Sequence, residues 1–387
     1  MQLFLEIAYY SLNNILHTLK SPLFLVVLLI IFFQYRKIGK LEKGVLGLNS
    51  KSIIYNTIVS TGFGLLGGLV GSIIFIFLGT TINPEDFYYI LPLALILSLF
   101  HSRFICFSYA GGIIALVSLI IGFPNVNISG ILMVVGVLHL VESLLILIDG
   151  KTMRTPIFME RDGQIIGGFV LNRFWPVPFT IFINGKIIYP ATIIAILGYG
   201  DYALTNYPEK KSKETAGLLS IFSIILLIFA SLSKNYEIFK YIGAIFSPLG
   251  HEFVIKLGNK REESGKYLFK PSLYGLKILD VLPNSIGKSM NLNSGDIIIS
   301  LNGNRIYSNR DIEEVLVQKP KYIWLEVLSP EKKLTTKEFQ DYKNGINNLG
   351  IITVGDTNEY QYIVKEADSL ISRALDKFRN RKARFKN

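Results

Sequence analysis

Apolar positions run in long blocks through the first two thirds of the chain and give way to alternation in the last third. The blocks fall at about 22–35, 55–79, 87–100, 104–122, 128–148, 187–204 and 216–232. A helix needs roughly 20 apolar residues to cross a bilayer unaided, so the blocks predict about seven spans. The first and third are short, and span only if Leu16, His17, Asp86 and His101 are drawn to the interfaces or the helices sit inside a bundle.

Loop charge sets the orientation, because Lys and Arg stay on the cytoplasmic side. Residues 36–54 carry Arg36, Lys37, Lys40, Lys43 and Lys51, while 80–86 and 123–127 carry no Lys or Arg. The N-terminus is therefore expected outside. The loop 149–186, with Lys151, Arg154, Arg161, Arg173 and Lys186, is expected inside. Lys210, Lys211 and Lys213 conflict with this if 187–204 spans. The weakly apolar stretch 237–257 offers a further crossing if that segment does not.

Beyond residue 258 the pattern predicts a strand, a turn, a short helix, a hairpin with Asn302-Gly303 at its tip and a helix over Ser308–Gln318. Strands follow at 321–328, about 333–338 and 349–354. In the tail, Ile363, Ala367, Leu370, Ile371, Ala374 and Phe378 recur at helical spacing before the basic end "RNRKARFKN". The expected fold is thus a polytopic α-helical membrane domain (1–257), a small α+β domain (258–356) and a basic amphipathic C-terminal helix (357–387).

Composition agrees with a membrane protein: half the residues are apolar, 18% are charged, and mean hydropathy is +0.41. The net charge of +11 fits cytoplasmic loops beside anionic lipid better than nucleic-acid binding. A single cysteine, Cys106, excludes an intrachain disulfide and a multi-cysteine zinc cluster. Residues 1–19 lack Lys and Arg, which argues against a cleaved signal peptide.

Several motifs bear on chemistry. "HEFVI" places His251 and Glu252 before Ile255, so the second histidine of a helical metalloprotease pair is missing. No serine-protease pattern is complete, and "GNKREESGKY" has the wrong spacing for a phosphate loop, with Tyr267 at the hydroxyl position. "GYGD" at Gly198–Asp201 matches the short signature of intramembrane aspartyl proteases, with Asp149 as the partner such a dyad would need. His139 and Glu142 share one helical face within an apolar block, open to reading as a proton path, a metal site or an interhelical contact. Gly64, Gly67, Gly68 and Gly71 form overlapping small-residue patterns suited to close helix packing or a homo-oligomer contact.

"LYGLKILDVLPNS", "NLNSGDIIISLNGNRI" and "RDIEEVL", within Lys270–Val317, resemble a PDZ domain of the bacterial type found on HtrA-like proteases. The resemblance implies a peptide-binding groove. Leu276 to Asp280 would be its open strand edge, and the amides of Tyr274, Gly275 and Leu276 would receive a carboxylate. Ile278, Ile312, Val315 and Leu316 would line the pocket. The whole layout, with "VLHLVESLLILIDG", "RFWPVPF" and "SPLGHEFVI", resembles the MinJ family of Gram-positive division-site proteins. That likeness implies a non-enzymatic, cofactor-free membrane scaffold linking the pole marker DivIVA to the ATPase MinD, with its PDZ domain in the cytoplasm and enrichment at septum and poles. The alternatives are an intramembrane aspartyl protease with PDZ-presented substrates, and a transporter-like bundle using His139 and Glu142.

Overall fold

The computed structural model describes residues 9, 12–46, 52–161, 163–184 and 188–355. The expected C-terminal helix lies outside the described residues. The helices that build the bundle are α1 (Pro22–Leu46), α2 (Ile53–Leu78), α3 (Phe87–Phe100), α4 (Phe107–Ile121), α5 (Ile128–Asp149), α6 (Pro208–Leu232) and α7 (Ile238–Ser264). Among the described residues, four stretches are long and apolar enough to cross a membrane: Pro22–Lys40, α2, α5 and α6.

The expected count of seven spans is not what the structure shows. Helices α3 and α4 have 14 and 15 residues, about 21–23 Å at helical rise, against a hydrocarbon core of about 30 Å. They form a hairpin whose two feet stand together. The Asp86 carboxylate, at the entry to α3, accepts the Asn127 amide at 3.3 Å, and α4 stops at left-handed Gly122, shortly before α5 begins. The hairpin tip instead reaches the middle of α5, where Cys106 meets His139.

The block at 187–204 is not a helix. It is strand β4 (Tyr189–Ala203), paired along its length with β3 (Gln164–Ile183). β4 is only half-buried to exposed over 189–196, yet its residues are apolar on both faces, so hydropathy alone cannot separate it from a span. β3 also pairs with β2 (Arg154–Arg161) in its first half and, in parallel, with β1 (Thr81–Ile82) at its end. The glycine face of α2 explains how a strand lies so close to a helix. A side chain on Gly64 or Gly68 would overlap the carbonyl oxygens of Pro176 and Pro178 on β3, while Gly67 and Gly71 face Val141 of α5. The Ser72 hydroxyl accepts the Thr180 amide at 2.8 Å. The small-residue pattern is therefore used for packing within the chain.

These contacts define two ends of the bundle. At one end lie β1, the end of β3, the feet of the α3–α4 hairpin and the α6–α7 turn, where the Ser233 hydroxyl donates to Ser129 at 2.7 Å. At the other end lie the C-terminus of α5, the strands β2 and early β3, the start of α6 and the end of α7. There Lys211 contacts Asp201 at 3.3 Å and Glu262 at 3.5 Å, and Glu262 accepts the Leu204 and Thr205 amides at 2.7 and 2.8 Å.

The C-terminal unit matches the expected pattern closely. It comprises β5 (Leu276–Val281), α8 (Ile286–Ser289), β6 (Ile297–Leu301), β7 (Asn304–Arg305), α9 (Asn309–Leu316), β8 (Tyr322–Leu328), β9 (Leu334–Gln340) and β10 (Ile351–Val354). The sheet order is β10-β5-β6-β8-β9, with β7 on β6. Asn302 and Gly303 both have positive φ, as the hairpin tip requires. Ser308 and Asp311 form a reciprocal capping box at the start of α9. Leu276, Ile278, Ile298, Leu301, Ile312, Leu316, Ile323 and Leu325 fill one core.

This unit does not hang free of the membrane half. Phe269 bridges to Gly167 of β3 and packs edge-on against Phe169 at 5.6 Å. Val354 and Leu279 join the core of the first part. Arg154 of β2 bonds Asp280 of β5 at 2.9 Å and reaches Glu209 at 3.5 Å.

Candidate functional site

The strand order, the short helix after β5 and the capped helix α9 define the C-terminal unit as a PDZ domain, and the site is built from its sheet. Of the residues expected to form the groove, Leu276, Ile278, Ile312 and Leu316 are brought together, but inside the core, at 6% exposure or less. Val315 is half-buried at the rim of the same core, as is Ile351. The edge expected at Leu276–Asp280 is not an edge. β10 pairs with residues 277–281 on one side, and β6 pairs with Leu276 and Lys277 on the other.

The carboxylate-receiving loop expected at 274–276 is also committed elsewhere. The Tyr274 amide donates to the Ser272 hydroxyl at 3.2 Å, and Leu276 pairs with Ile298. Gly275 is needed for packing, because a side chain there would overlap the Ile298 carbonyl oxygen. Tyr274 itself is exposed.

The chain's own β10 thus takes the position beside β5 that the sequence reserves for an incoming peptide. A turn ending in Gly350, at φ +65°, leads into this strand. The Gly350 amide donates to the Asn348 side-chain oxygen at 2.6 Å, while the Leu349 and Gly350 carbonyls accept from Gly287 and Leu282. Thr353 then donates to Asn309 in the first turn of α9 at 2.5 Å. A glycine-centred turn followed by a strand facing α9 is the arrangement from which a PDZ groove is made. The stretch "NLGIITV" carried the signal in sequence, as a left-handed glycine at a strand start.

Charges in this domain follow from burial. Burial pushes the Asp296 carboxyl up, against the Asn293 amide that holds it at 2.9 Å. Burial lowers the Lys277 ammonium. Partial burial also pushes Asp311 up, but the amides of Tyr307 and Ser308 and the Ser308 hydroxyl together hold it below its ordinary value. A cleft of about 370 Å³ separates the domain from the membrane half, lined by Glu42, Lys151, Arg154, Glu209, Asp280 and Lys288 among others.

The expected aspartyl dyad is not assembled. Asp149 is fully buried and ion-paired to Arg173, whose Nε donates to it at 2.6 Å; Trp175 and Thr152 donate at 2.8 and 2.7 Å. Tyr35 completes this cluster through Arg173, Ser60 and the Phe174 amide. Asp201 belongs to the separate Lys211 cluster and accepts from Thr215 at 2.7 Å. Each carboxylate has its own cation, whereas a dyad needs two carboxylates sharing one proton. His139 meets Cys106 and His251, and Glu142 is not part of that group.

The fold and site together define a membrane-associated protein carrying a PDZ domain packed onto an intramembrane-type helical bundle. The chain is similar to the cell division topological determinant MinJ of Bacillus subtilis (strain 168), with 22% identity over 214 residues, or 51% of this chain and 54% of that protein. The matched stretch spans about half the length of that relative. Among solved structures, the chain is similar to the PDZ domain of the SdrC-like protein from Listeria monocytogenes. That match has 19% identity, covers 22% of this chain and 93% of that one, and has a TM-score of 0.18. No protein-family model matches the chain.

Proposed function

We propose that this protein is a polytopic membrane adaptor of the division apparatus, whose PDZ domain gathers protein partners at the cytoplasmic face. The observation that carries the proposal is the fixed seat of the PDZ domain, through Phe269, Val354 and the Arg154–Asp280 pair, at one end of the helical bundle. Many basic residues lie at that same end: Arg36, Lys37, Lys40 and Lys43 on the last turns of α1, then Lys151, Arg154, Arg161, Arg173, Lys210, Lys211 and Lys213. At the other end, 80–86 and 122–127 carry none, and the α6–α7 turn carries Lys234 with Lys240 close behind it. With 187–204 folded as a strand, the lysines at 210–213 no longer conflict with the charge rule.

The topology that follows has five crossings, α1, α2, α5, α6 and α7, with α3–α4 re-entrant and the β3–β4 hairpin inserted beside α2. Irregular and β structure at membrane depth is tolerated where protein covers it, as α2 covers β3 here, while β4 is the more exposed partner over 189–196. An odd count puts the start of α1 outside and the PDZ domain inside. Partner recruitment is assigned to the rim of α9 and β10, at Val315 and Ile351. By likeness to a cell division topological determinant, the partners are division proteins, DivIVA and MinD among them, and the site of action is the septum and poles.

The test is co-purification from cells in which the chain carries Val315→Asp or Ile351→Asp, with Trp324 fluorescence in a Trp175→Phe background reporting that the domain remains folded. Loss of division proteins from the purified complex is the expected result. Retention of every partner by both variants would remove the PDZ domain as the recruiting element.

A further inference from the structure

Three side chains with metal-binding atoms converge at mid-depth of the bundle, and none belongs to the PDZ site. Cys106 is the N-cap of α4, at the tip of the re-entrant hairpin. His139 sits in the middle of α5 and His251 in the middle of α7. Their ligand atoms all lie within 4.8 Å of one another. Cys106 Sγ is 3.0 Å from His139 Nε2 and 3.8 Å from His251 Nε2. Zinc bonds of about 2.3 Å to sulfur and 2.0–2.1 Å to nitrogen, at a tetrahedral angle, set S···N at about 3.6 Å. The two observed separations bracket that value.

The hydrogen-bond geometry also suits a metal. His139 Nδ1 lies 2.7 Å from the Val135 carbonyl oxygen, which can only accept, so Nδ1 carries the proton and Nε2 presents a lone pair toward Cys106. A backbone carbonyl fixing a histidine tautomer in this way is the usual arrangement at zinc ligands. The Cys106 thiol caps the N-terminus of α4, where the Ser108 amide donates to its sulfur at 3.5 Å. His251 Nδ1 is buried without a hydrogen-bond partner among the described residues, so no hydrogen bond at that nitrogen fixes the ring away from the sulfur. Phe222 stands edge-on to both imidazoles at 5.4 and 5.7 Å, and Tyr109 to His251 at 5.2 Å. Glu252 is held apart by Tyr109, Arg103 and Lys256, which leaves the fourth position to water.

We propose that Cys106, His139 and His251 bind one zinc ion, which ties the tip of the α3–α4 hairpin to α5 and to α7, the helix that leads into the PDZ domain. Binding forms one Zn–S and two Zn–N bonds and releases the thiol proton. One thiolate and two imidazoles suit a borderline-soft ion such as Zn²⁺ and disfavour Mg²⁺ or Ca²⁺.

The experiment uses the full chain in detergent micelles, stripped with chelator and dialysed against Zn²⁺ or Co²⁺. Elemental analysis should give one ion per chain, and Co²⁺ should give a thiolate charge-transfer band with tetrahedral visible absorption. Cys106→Ser should abolish that band, and it, His139→Gln and His251→Gln should each weaken binding by more than about 100-fold, beyond what outer-shell changes do. His17→Gln should leave stoichiometry unchanged. Because Cys106 is the only cysteine, its alkylation rate in the unmodified chain gives a readout that needs no variant. Zinc should protect it and chelator should restore reactivity. A parent chain that takes up neither ion, alkylation indifferent to zinc, or a Cys106→Ser chain that keeps its ion would overturn the assignment.

Discussion

Replacing Arg173 by Met probes the most deeply buried ion pair among the described residues. Arg173 and Asp149 are 1% and 0% exposed, and Asp149 accepts from Arg173, Trp175 and Thr152. Methionine keeps much of the apolar stem but leaves the carboxylate unpaired away from water. Breaking a buried pair from one side costs about 3–5 kcal/mol, because the abandoned charge keeps its full desolvation penalty. That is roughly two to four decades in the folded-to-unfolded ratio. The double variant Asp149→Asn with Arg173→Met removes the charge and leaves an amide to accept from Trp175 and Thr152. It should therefore be more stable than the single variant. The assay is unfolding in mixed micelles with rising denaturing detergent, followed by Trp175 fluorescence in a Trp324→Phe background, since the chain has two tryptophans. A single variant within about 1 kcal/mol of the parent, or a double variant no better than the single, would refute the assignment of Asp149 as a paired structural carboxylate.

Gly68→Val on α2 should cost about 1–3 kcal/mol by overpacking against Pro178, whereas Gly62→Val, which has nothing within 4 Å, should cost no more than a few tenths; the same detergent titration separates them. Asp311→Ala should remove about 0.5–2 kcal/mol from PDZ stability through loss of the capping box. Because the folded carboxyl lies below its ordinary 3.8, that contribution is complete above this value and lost as pH falls through the folded value. Thermal melts of parent and variant should converge in strong acid and separate near neutrality. In a Cys106→Ser background, a cysteine at exposed Phe123 should react with an impermeant thiol reagent on intact cells, and one at exposed Tyr274 only after lysis; the reverse pattern would invert the topology.

Legibility in the sequence followed the range of the forces involved. The PDZ elements were readable because turn and cap chemistry is local: Asn302-Gly303, Ser308 with Asp311, and alternating strands each carry their own instruction. Helices α1, α2, α5 and α6 were readable from apolar length. The β3–β4 hairpin was not, because an apolar strand such as Ile193 to Leu197 looks the same to hydropathy as a span. Its clue was the pair of prolines at 176 and 178, opposite the glycines of α2. The open edge was placed on β5 because nothing local to Leu276 reveals that residues 351–354 return to pair with it. The Cys106, His139 and His251 group was hidden for the same reason. Its members are 33 and 145 residues from the cysteine, so no spacing rule could join them, and each looked too poor in ligands alone.

The adaptor reading stands most directly on what touches the α9–β10 rim in living cells. A photo-reactive amino acid at position 315, activated in dividing cells and followed by mass spectrometry of the adducts, measures this in one step. The account predicts adducts with cytoplasmic division proteins, concentrated at septa. Adducts with extracellular proteins, or only within the chain itself, would contradict it.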